Sequence, residues 1–219
     1  STVTAQDGSY AFTEIPPGTY TVTEVLKPGW TQSYPTGGSH TVTVLSHEQD
    51  DETDYYFMNW SPIDPRGVKY HDINGNGVIE ENEPGLEGWE IRLEGETATT
   101  TVSMSTFTAA DGSWSFPVVP PGSYTIYEVK QDGWTQTFPP APGTYDVTLE
   151  SGDSPVEGLD FANAQLVDLF GYKWDDTPDR TTDPLAAPGN GVWDAGEPAL
   201  AGWVITLEGQ TTSGTPVSR

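Results

Sequence analysis

The most constraining feature of this chain is an internal repeat whose copies lie about one hundred residues apart. Four segments recur at an offset of 104, namely 7–12 as 111–116, 16–21 as 120–125, 29–32 as 133–136, and 67–70 as 171–174. After an insertion of ten residues the offset becomes 114, so that Gly88-Trp89 returns as Gly202-Trp203. Self-similarity at a fixed offset indicates tandem copies of one folding unit.

Placed on this offset, the 219 residues hold one complete unit and two partial units. We expect the back half of a domain at residues 1–62, a whole domain at 63–165, and the front half of a domain at 166–219. Neither half can close a core alone, so we expect copies to complete one another, head to tail, in an array or filament.

The composition favours an extracellular β-protein. The 24 glycines and 19 prolines interrupt short runs rich in Thr, Val, Tyr and Trp, which predicts short strands joined by turns. There is no cysteine, so disulfides are excluded as a source of stability. A net charge of −25 disfavours nucleic acid and anionic membranes as partners and favours divalent cations or a high-salt setting.

Alternation along the complete unit predicts the strands and their buried faces. One face each is predicted for Trp89, Ile91 and Leu93; for Trp114 and Phe116; for Tyr124, Ile126 and Glu128; and for Leu159, Phe161 and Asn163. About seven short strands in roughly a hundred residues predict an all-β fold of β-sandwich domains. The Ser/Thr-rich residues 97–108 are predicted to form a loop.

The strongest local motif runs from Asp72 to Glu83 and occupies every fixed position of the calcium-loop pattern D-x-[DN]-x-[DN]-G-x5-E. The predicted ligands are the side chains of Asp72, Asn74, Asn76 and Glu83, the carbonyl of Val78, and Glu80 directly or through water. Pro84-Gly85 follows at once, so no exiting helix is expected. The alternative interpretation is a solvated Asn/Gly turn.

The third unit keeps the second part of this motif after its insertion. The predicted calcium ligands there are Asp176, Asn190, Val192, Asp194 and Glu197. The third-position ligand is open between Asp179 and Asp183. Extracellular calcium modules bind at roughly 10⁻⁴–10⁻³ M, which suits a structural ion.

Taken together, the motifs resemble those of the SdrD B-like repeats, relatives of the collagen-adhesin (Cna) B-type domains of cell-surface proteins. The motifs are Gly-x-Lys-[Tyr/Trp]-x-Asp, the Asn-Gly-Asn-Gly loop, Glu-Pro-Gly-Leu-x-Gly-Trp, Asp-Gly-x-[Tyr/Trp]-x-Phe, Pro-Gly-x-Tyr-Thr and Gly-Trp-Thr-Gln. The resemblance implies prealbumin-like (Ig-like) β-sandwiches, bound calcium, and a stalk or filament segment outside the cell.

The same resemblance implies a self-formed amide bond between a first-strand Lys and a last-strand Asn, assisted by a buried acid. Lys69, Asn163 and Glu128 occupy those positions, and Glu24, Asn59 and Lys173 occupy them in the partial units. Lys173 would have to find an Asn59 in the next unit. The alternative is an ordinary surface lysine, with Glu and Asn hydrogen-bonded at a strand end.

Two further functions stay open at this stage. Aromatic residues beside loops could bind sugars or other surface ligands, which would make the chain an adhesin or carbohydrate-binding module, or could simply pack between repeats; they are Trp30, Tyr34, Trp134 and Phe138. An accessory domain of a secreted enzyme would need catalytic sequence elsewhere. Apart from forming its own amide bond, the chain is expected not to be an enzyme.

Overall fold

The computed structural model describes residues 1–46, 55–176, 189, 191–193 and 197–219. All regular secondary structure in these ranges is β-strand, which confirms the predicted all-β class. The described part of the chain therefore also contains no helix of the length and apolarity needed to cross a membrane.

Fourteen strands are present in the described residues. Residues 1–62 contain β1 (Gly18–Thr23), β2 (Thr31–Tyr34), β3 (Ser39–Val44) and β4 (Met58–Trp60). Residues 63–165 contain β5 (Arg66–His71), β6 (Glu90–Glu96), β7 (Thr101–Phe107), β8 (Ser113–Ser115), β9 (Gly122–Glu128), β10 (Trp134–Phe138), β11 (Thr144–Leu149) and β12 (Phe161–Gln165). Residues 166–219 contain β13 (Glu208–Gln210) and β14 (Pro216–Ser218).

The middle part of the chain is a sandwich of two four-stranded sheets. One sheet has the strand order β10-β12-β5-β8 and the other has the order β11-β9-β6-β7. Every pairing is antiparallel except that of β5 with β12, the first and last strands, which run parallel with Lys69 opposite Phe161. The sandwich thus has eight strands where the sequence predicted about seven.

The core lies between these sheets and consists of the inward residues of both. Its buried members are Ile63, Trp89, Ile91, Leu93, Trp114, Phe116, Val119, Tyr124, Ile126, Leu149, Leu159 and Phe161. The buried faces predicted from alternation are confirmed, including the burial of the two polar members, Glu128 and Asn163.

The predicted loop at residues 97–108 is wrong, because Thr101–Phe107 forms β7 at the edge of a sheet. β7 pairs with β6 along its whole length, from Thr101 opposite Glu96 to Phe107 opposite Glu90. Val102 and Met104 pack against the core, while Thr101, Ser103 and Ser105 alternate with them and are exposed. The high Ser/Thr content hid this alternation, although threonine favours strands.

The flanking parts of the chain form smaller sheets. β1 pairs with β3 and β2 pairs with β4 in residues 1–62, and β13 pairs with β14 in residues 166–219. The division into one whole and two half domains stays a prediction.

Gly67 lies where β5 passes close to the neighbouring backbone. A Cβ atom there would lie 2.4 Å from the Leu159 carbonyl oxygen and 3.1 Å from the Trp114 ring. Its counterpart 104 residues later, Gly171, has no such atom within 4 Å. Glycine is therefore the only residue that fits at position 67 of β5 without a shift of the neighbouring backbone.

We predict that Gly67→Ala lowers the free energy of unfolding of the middle domain by about 1–3 kcal/mol, since overpacking forces backbone to shift. Thermal unfolding of the full chain measures this. Gly171→Ala is the matched control and should leave the middle-domain transition unchanged. Equal midpoints for the two variants would contradict the close contact at Gly67.

Candidate crosslink and metal sites

Three polar side chains meet in the interior of the middle domain. The Lys69 amine donates a hydrogen bond to Asn163 Oδ1 at 2.5 Å and lies 2.7 Å from Glu128 Oε2. Asn163 Nδ2 donates to Glu128 Oε1 at 2.7 Å. Each member of this triad therefore contacts the other two.

The sheet arrangement explains how residues so far apart in sequence meet. Lys69 and Asn163 lie on the parallel neighbours β5 and β12, and Glu128 ends β9 in the facing sheet. All three point into the space between the sheets, because each alternates with outward residues on its strand. The residues that the resemblance brought together are thus placed in contact.

The triad is shielded from water. The side chains of Lys69 and Glu128 are 0% and 1% exposed. Desolvation lowers the pKa of Lys69 from its ordinary 10.5 to about 8, against the opposing pull of the Glu128 carboxylate. Burial thus favours the neutral, nucleophilic form of the amine.

Trp89 is a fourth member that the sequence identified only as a core residue. Its ring lies under the Lys69 amine, with 4.5 Å between Nζ and the ring centroid. The ring excludes water from one side of the amine while offering it a cation–π contact. The recurrence of Trp89 as Trp203, in the same phase as the two lysines, was the signal available in the sequence.

The arrangement holds together the groups that an amide bond would need. In such a reaction a neutral Lys69 Nζ would attack Asn163 Cγ, the bond from Cγ to Nδ2 would break, and Nδ2 would leave as ammonia. Glu128 touches both nitrogens, so it can take a proton from the amine and deliver it to the departing Nδ2.

The partial units each hold one portion of the same triad. Asn59 Nδ2 donates to Glu24 Oε2 at 2.7 Å, which reproduces the bond from Asn163 to Glu128. Lys173 is exposed; its Nζ donates to the Trp174 carbonyl at 2.7 Å and lies 5.1 Å from the Trp203 ring centroid. Lys173, Glu24 and Asn59 are not brought together within this chain.

The predicted metal loop closes around Asp72, which is fully buried. Its Oδ1 accepts hydrogen bonds from the backbone N–H groups of Gly75 and Asn76, and its Oδ2 accepts one from Gly77 at 2.8 Å. Burial, the largest single influence, raises the pKa of Asp72, but these backbone bonds and one from the Thr137 side chain together hold it below its ordinary value. Gly77 has φ +74°, the left-handed conformation that the sixth position of the loop requires.

The other predicted ligands are linked to this loop by short contacts. Glu80 accepts from the side-chain amides of Asn74 at 2.8 Å and Asn76 at 3.4 Å. Glu83 is buried and accepts from the backbone N–H of Ile73 and of Glu80, both at 3.2 Å.

The donor set of the loop fits calcium, since it offers carboxylate, amide and carbonyl oxygens and neither sulfur nor imidazole. In the described residues no group of three or more His, Cys, Asp or Glu side chains lies together as a metal cluster. A bound ion would therefore depend on the oxygens of Asn74, Asn76 and Val78 as well as on the carboxylates.

The second predicted loop is described only in part. Asp176 Oδ2 accepts from the Gly191 N–H at 2.9 Å, as Asp72 Oδ2 does from Gly77. Glu197 is buried, like Glu83, while Val192 is exposed. Asn190 and Asp194, and both candidates for the third ligand, lie outside the described residues.

A direct contact joins the metal loop to the triad. Asp72 follows the last residue of β5 and lies three residues beyond Lys69; its N–H donates a hydrogen bond to the Asn163 carbonyl at 2.9 Å. The sequence gave no indication of this bond, because it depends on the parallel pairing of β5 and β12.

The aromatic residues considered for sugar binding have different surroundings. Trp134 packs edge to face against Trp89 at 5.4 Å, which favours a packing role. Tyr34 stacks on Tyr56 at 4.6 Å, and Trp30 is exposed.

Comparison with known proteins gives a family match over the middle of the chain. Residues 67–167 match the family model described as SdrD B-like domain. The serine-aspartate repeat-containing protein D of Staphylococcus aureus strain Newman is 26% identical over 223 residues, which cover 94% of this chain and 16% of the relative. A fibrinogen-binding protein of Staphylococcus epidermidis is also 26% identical, over 72% of this chain and 14% of that protein. The chain thus spans only a small part of the length of these curated relatives.

Two solved structures resemble the chain at low identity. The minor pilin GBS52 of Streptococcus agalactiae is 16% identical with a TM-score of 0.37, over 77% of this chain and 68% of the pilin. The plantain pollen allergen Pla l 1 is 19% identical with a TM-score of 0.39, over 51% of this chain and 99% of the allergen. As the sequence motifs predicted, residues 67–167 are similar to the SdrD B-like domain family, and the chain as a whole is similar to part of a serine-aspartate repeat-containing protein.

Proposed function

We propose that this chain is a load-bearing segment of an extracellular stalk or filament, in which the middle domain closes itself with an amide bond between Lys69 and Asn163. The observation that carries the proposal is the buried triad, with the amine 2.5 Å from the Asn163 amide oxygen and 2.7 Å from Glu128. A buried ion pair in such a site would contribute little to the stability of the fold, because the cost of desolvating the two charges offsets most of their attraction.

The position of the bond suits a protein under tension. The chain enters the domain at β5 and leaves it after β12, so a pull on both ends loads these two neighbours directly. An amide bond between Lys69 and Asn163 would carry that load and shield the 94 residue steps between them. By analogy with disulfide loops, closure of this loop would stabilise the fold by roughly 4–5 kcal/mol.

Calcium at the loop of Asp72 to Glu83 is the second element of the proposal. Asp72, Asn74, Asn76, Val78, Glu80 and Glu83 would hold the ion, and the loop of Asp176, Asn190, Val192, Asp194 and Glu197 would hold another. An ion held there would neutralise the carboxylates of the loop and fix the segment that follows β5. The net charge of −25 supports the need for such cations.

The proposed amide bond can be detected from the mass of the chain and of its peptides. Denaturing mass spectrometry and peptide mapping of the full chain should find the Lys69 and Asn163 peptides joined and lighter by one ammonia. Glu128→Gln removes the proton carrier while keeping the size of the side chain, so it should leave most of the folded chain unlinked. Lys130→Ala changes an exposed lysine and is expected to retain the link. Unmodified peptides at both positions of the wild-type chain would refute the crosslink.

Calcium binding at the Asp72 loop can be detected from its effect on stability. At calcium about 10- to 100-fold above the dissociation constant, the middle domain should gain about 1.5–3 kcal/mol of stability, measured by unfolding with calcium or with a chelator. Asp72→Asn should abolish most of this gain, since the buried carboxylate is lost. Asp111→Asn is the matched control, because Asp111 closes a similar turn by accepting from Ser113 and lies outside the loop.

Isothermal titration separates the metal site from a simple turn. Asp72→Asn should remove one calcium site and leave any site in residues 166–219. If the wild-type chain takes up no calcium, or if Asp72→Asn responds like the wild type, the loop is a solvated turn.

A further inference from the structure

The loop from Asp72 to Glu83 packs against a part of the domain that the calcium motif does not include. The Asp72 N–H donates a hydrogen bond to the Asn163 carbonyl on β12 at 2.9 Å. A Cβ atom on Gly77 would lie 3.0 Å from the backbone carbonyl oxygen of Thr137 on β10. The backbone of this loop, called the Asp72 loop, therefore lies close to both β12 and its neighbour β10.

Thr137 lies at an irregularity in the pairing of these two strands. Gln136 is opposite Asn163 and Phe138 is opposite Ala162, so β10 advances by two residues where β12 advances by one. Thr137 is thus the extra residue of a β-bulge, a distortion that redirects a side chain and is frequent beside functional sites. The bulge gives Thr137 an orientation that regular pairing would not give it.

The Thr137 hydroxyl lies between the Asp72 loop and the last strand. It donates to the Ala162 carbonyl at 3.1 Å and also hydrogen-bonds to the Asp72 carboxylate. Asp72 is the first ligand predicted for the metal, and backbone N–H groups within the loop itself also donate to its carboxylate. Thr137 therefore contacts this ligand from outside the loop.

The corresponding bulge in residues 1–62 also carries a hydroxyl group. The pairing of β2 with β4 has the same irregularity around Ser33, whose hydroxyl donates to the Met58 carbonyl at 3.1 Å. Ser33 and Met58 precede Thr137 and Ala162 by the repeat offset of 104. The bond from hydroxyl to carbonyl is therefore a feature of the bulged strand pair, and serine supplies it as threonine does. Thr137 has, in addition, its contact with the Asp72 loop.

We infer that Thr137 is a positioning residue for calcium at the Asp72 loop, although it lies outside the loop motif in the sequence. Its hydroxyl orients the Asp72 carboxylate, and its backbone carbonyl bounds the bend at Gly77. The inference rests on the calcium binding proposed above and adds to it a residue from a different strand.

The physical reason is preorganisation of the ligand. A site binds more tightly when its ligands are held in place beforehand, because less conformational freedom is lost on binding. Thr137 is itself fixed by its bond to Ala162, so it offers Asp72 a partner of defined position. Removal of such an outer partner typically weakens metal binding by about 10- to 100-fold.

Calcium titration of the full chain by isothermal calorimetry tests this role. Thr137→Val removes the hydroxyl and nearly keeps the shape, so it should raise the dissociation constant of the Asp72 loop by about tenfold or more. Thr137→Ser keeps the hydroxyl and should retain the wild-type affinity. Asp72→Asn identifies which calcium site is affected. Ser33→Ala is the matched control, because it removes the equivalent bond at the other bulge and should leave the affinity unchanged.

Unfolding in the presence of a chelator separates positioning from a purely structural role. Thr137→Val also loses the bond to Ala162, so it is expected to lower the stability of the calcium-free chain. A structural role alone would lower that stability and leave the calcium dissociation constant at its wild-type value, which would overturn the inference. An equal loss of affinity in Thr137→Val and Thr137→Ser would also overturn it, because the hydroxyl would then not be the group responsible.

The wild-type chain provides a test that needs no substitution. Saturation with calcium should shift the NMR signals of Thr137 together with those of the Asp72 loop and leave those of Ser33 in place. Shifts in the loop without a shift at Thr137 would overturn the positioning role and leave the calcium site standing. A wild-type chain that takes up no calcium would overturn the calcium site and the role of Thr137 together.

Discussion

The parallel pairing of the first and last strands of the middle domain is the constraint on which the other features depend. It places Lys69 and Asn163 side by side, although 94 positions separate them in the sequence. It also brings the Asp72 N–H to the Asn163 carbonyl, which ties the metal loop to the same strand. A pull on the two ends of the domain is therefore received where the polar triad lies. The Asp72 loop, the triad and the two strands that a pull on the domain ends would load therefore lie next to one another.

The apolar core explains why a polar triad can exist there at all. Trp89 covers the Lys69 amine on one side, and the inward residues of both sheets exclude water from the rest. The same exclusion lowers the pKa of Lys69 to about 8. Lys173 is exposed instead, and its amine donates a hydrogen bond to the Trp174 carbonyl. The buried surroundings of Lys69 therefore account for its lowered pKa, because burial disfavours the charged form of the amine.

Acidity and the absence of cysteine fit this mode of stabilisation. A chain with a charge of −25 and no disulfides needs other means to hold its loops and its ends. The Asp72 loop offers oxygen ligands at the exit of the first strand, and the triad offers a bond between that strand and the last. Both would act on β5, the first strand of the domain.

The amino-acid sequence alone predicted the repeat, the all-β class, the buried faces and the candidate residues, because alternation and fixed spacing are local properties of the chain. It did not reveal β7, since its Ser/Thr content masked an alternation of only two inward residues, Val102 and Met104. It gave no indication that Trp89 lies under Lys69 or that Asp72 bonds to Asn163. These contacts are visible only in the folded protein. Strand order, parallel direction and register bring the residues together, and their separation in the sequence does not predict their distance in space.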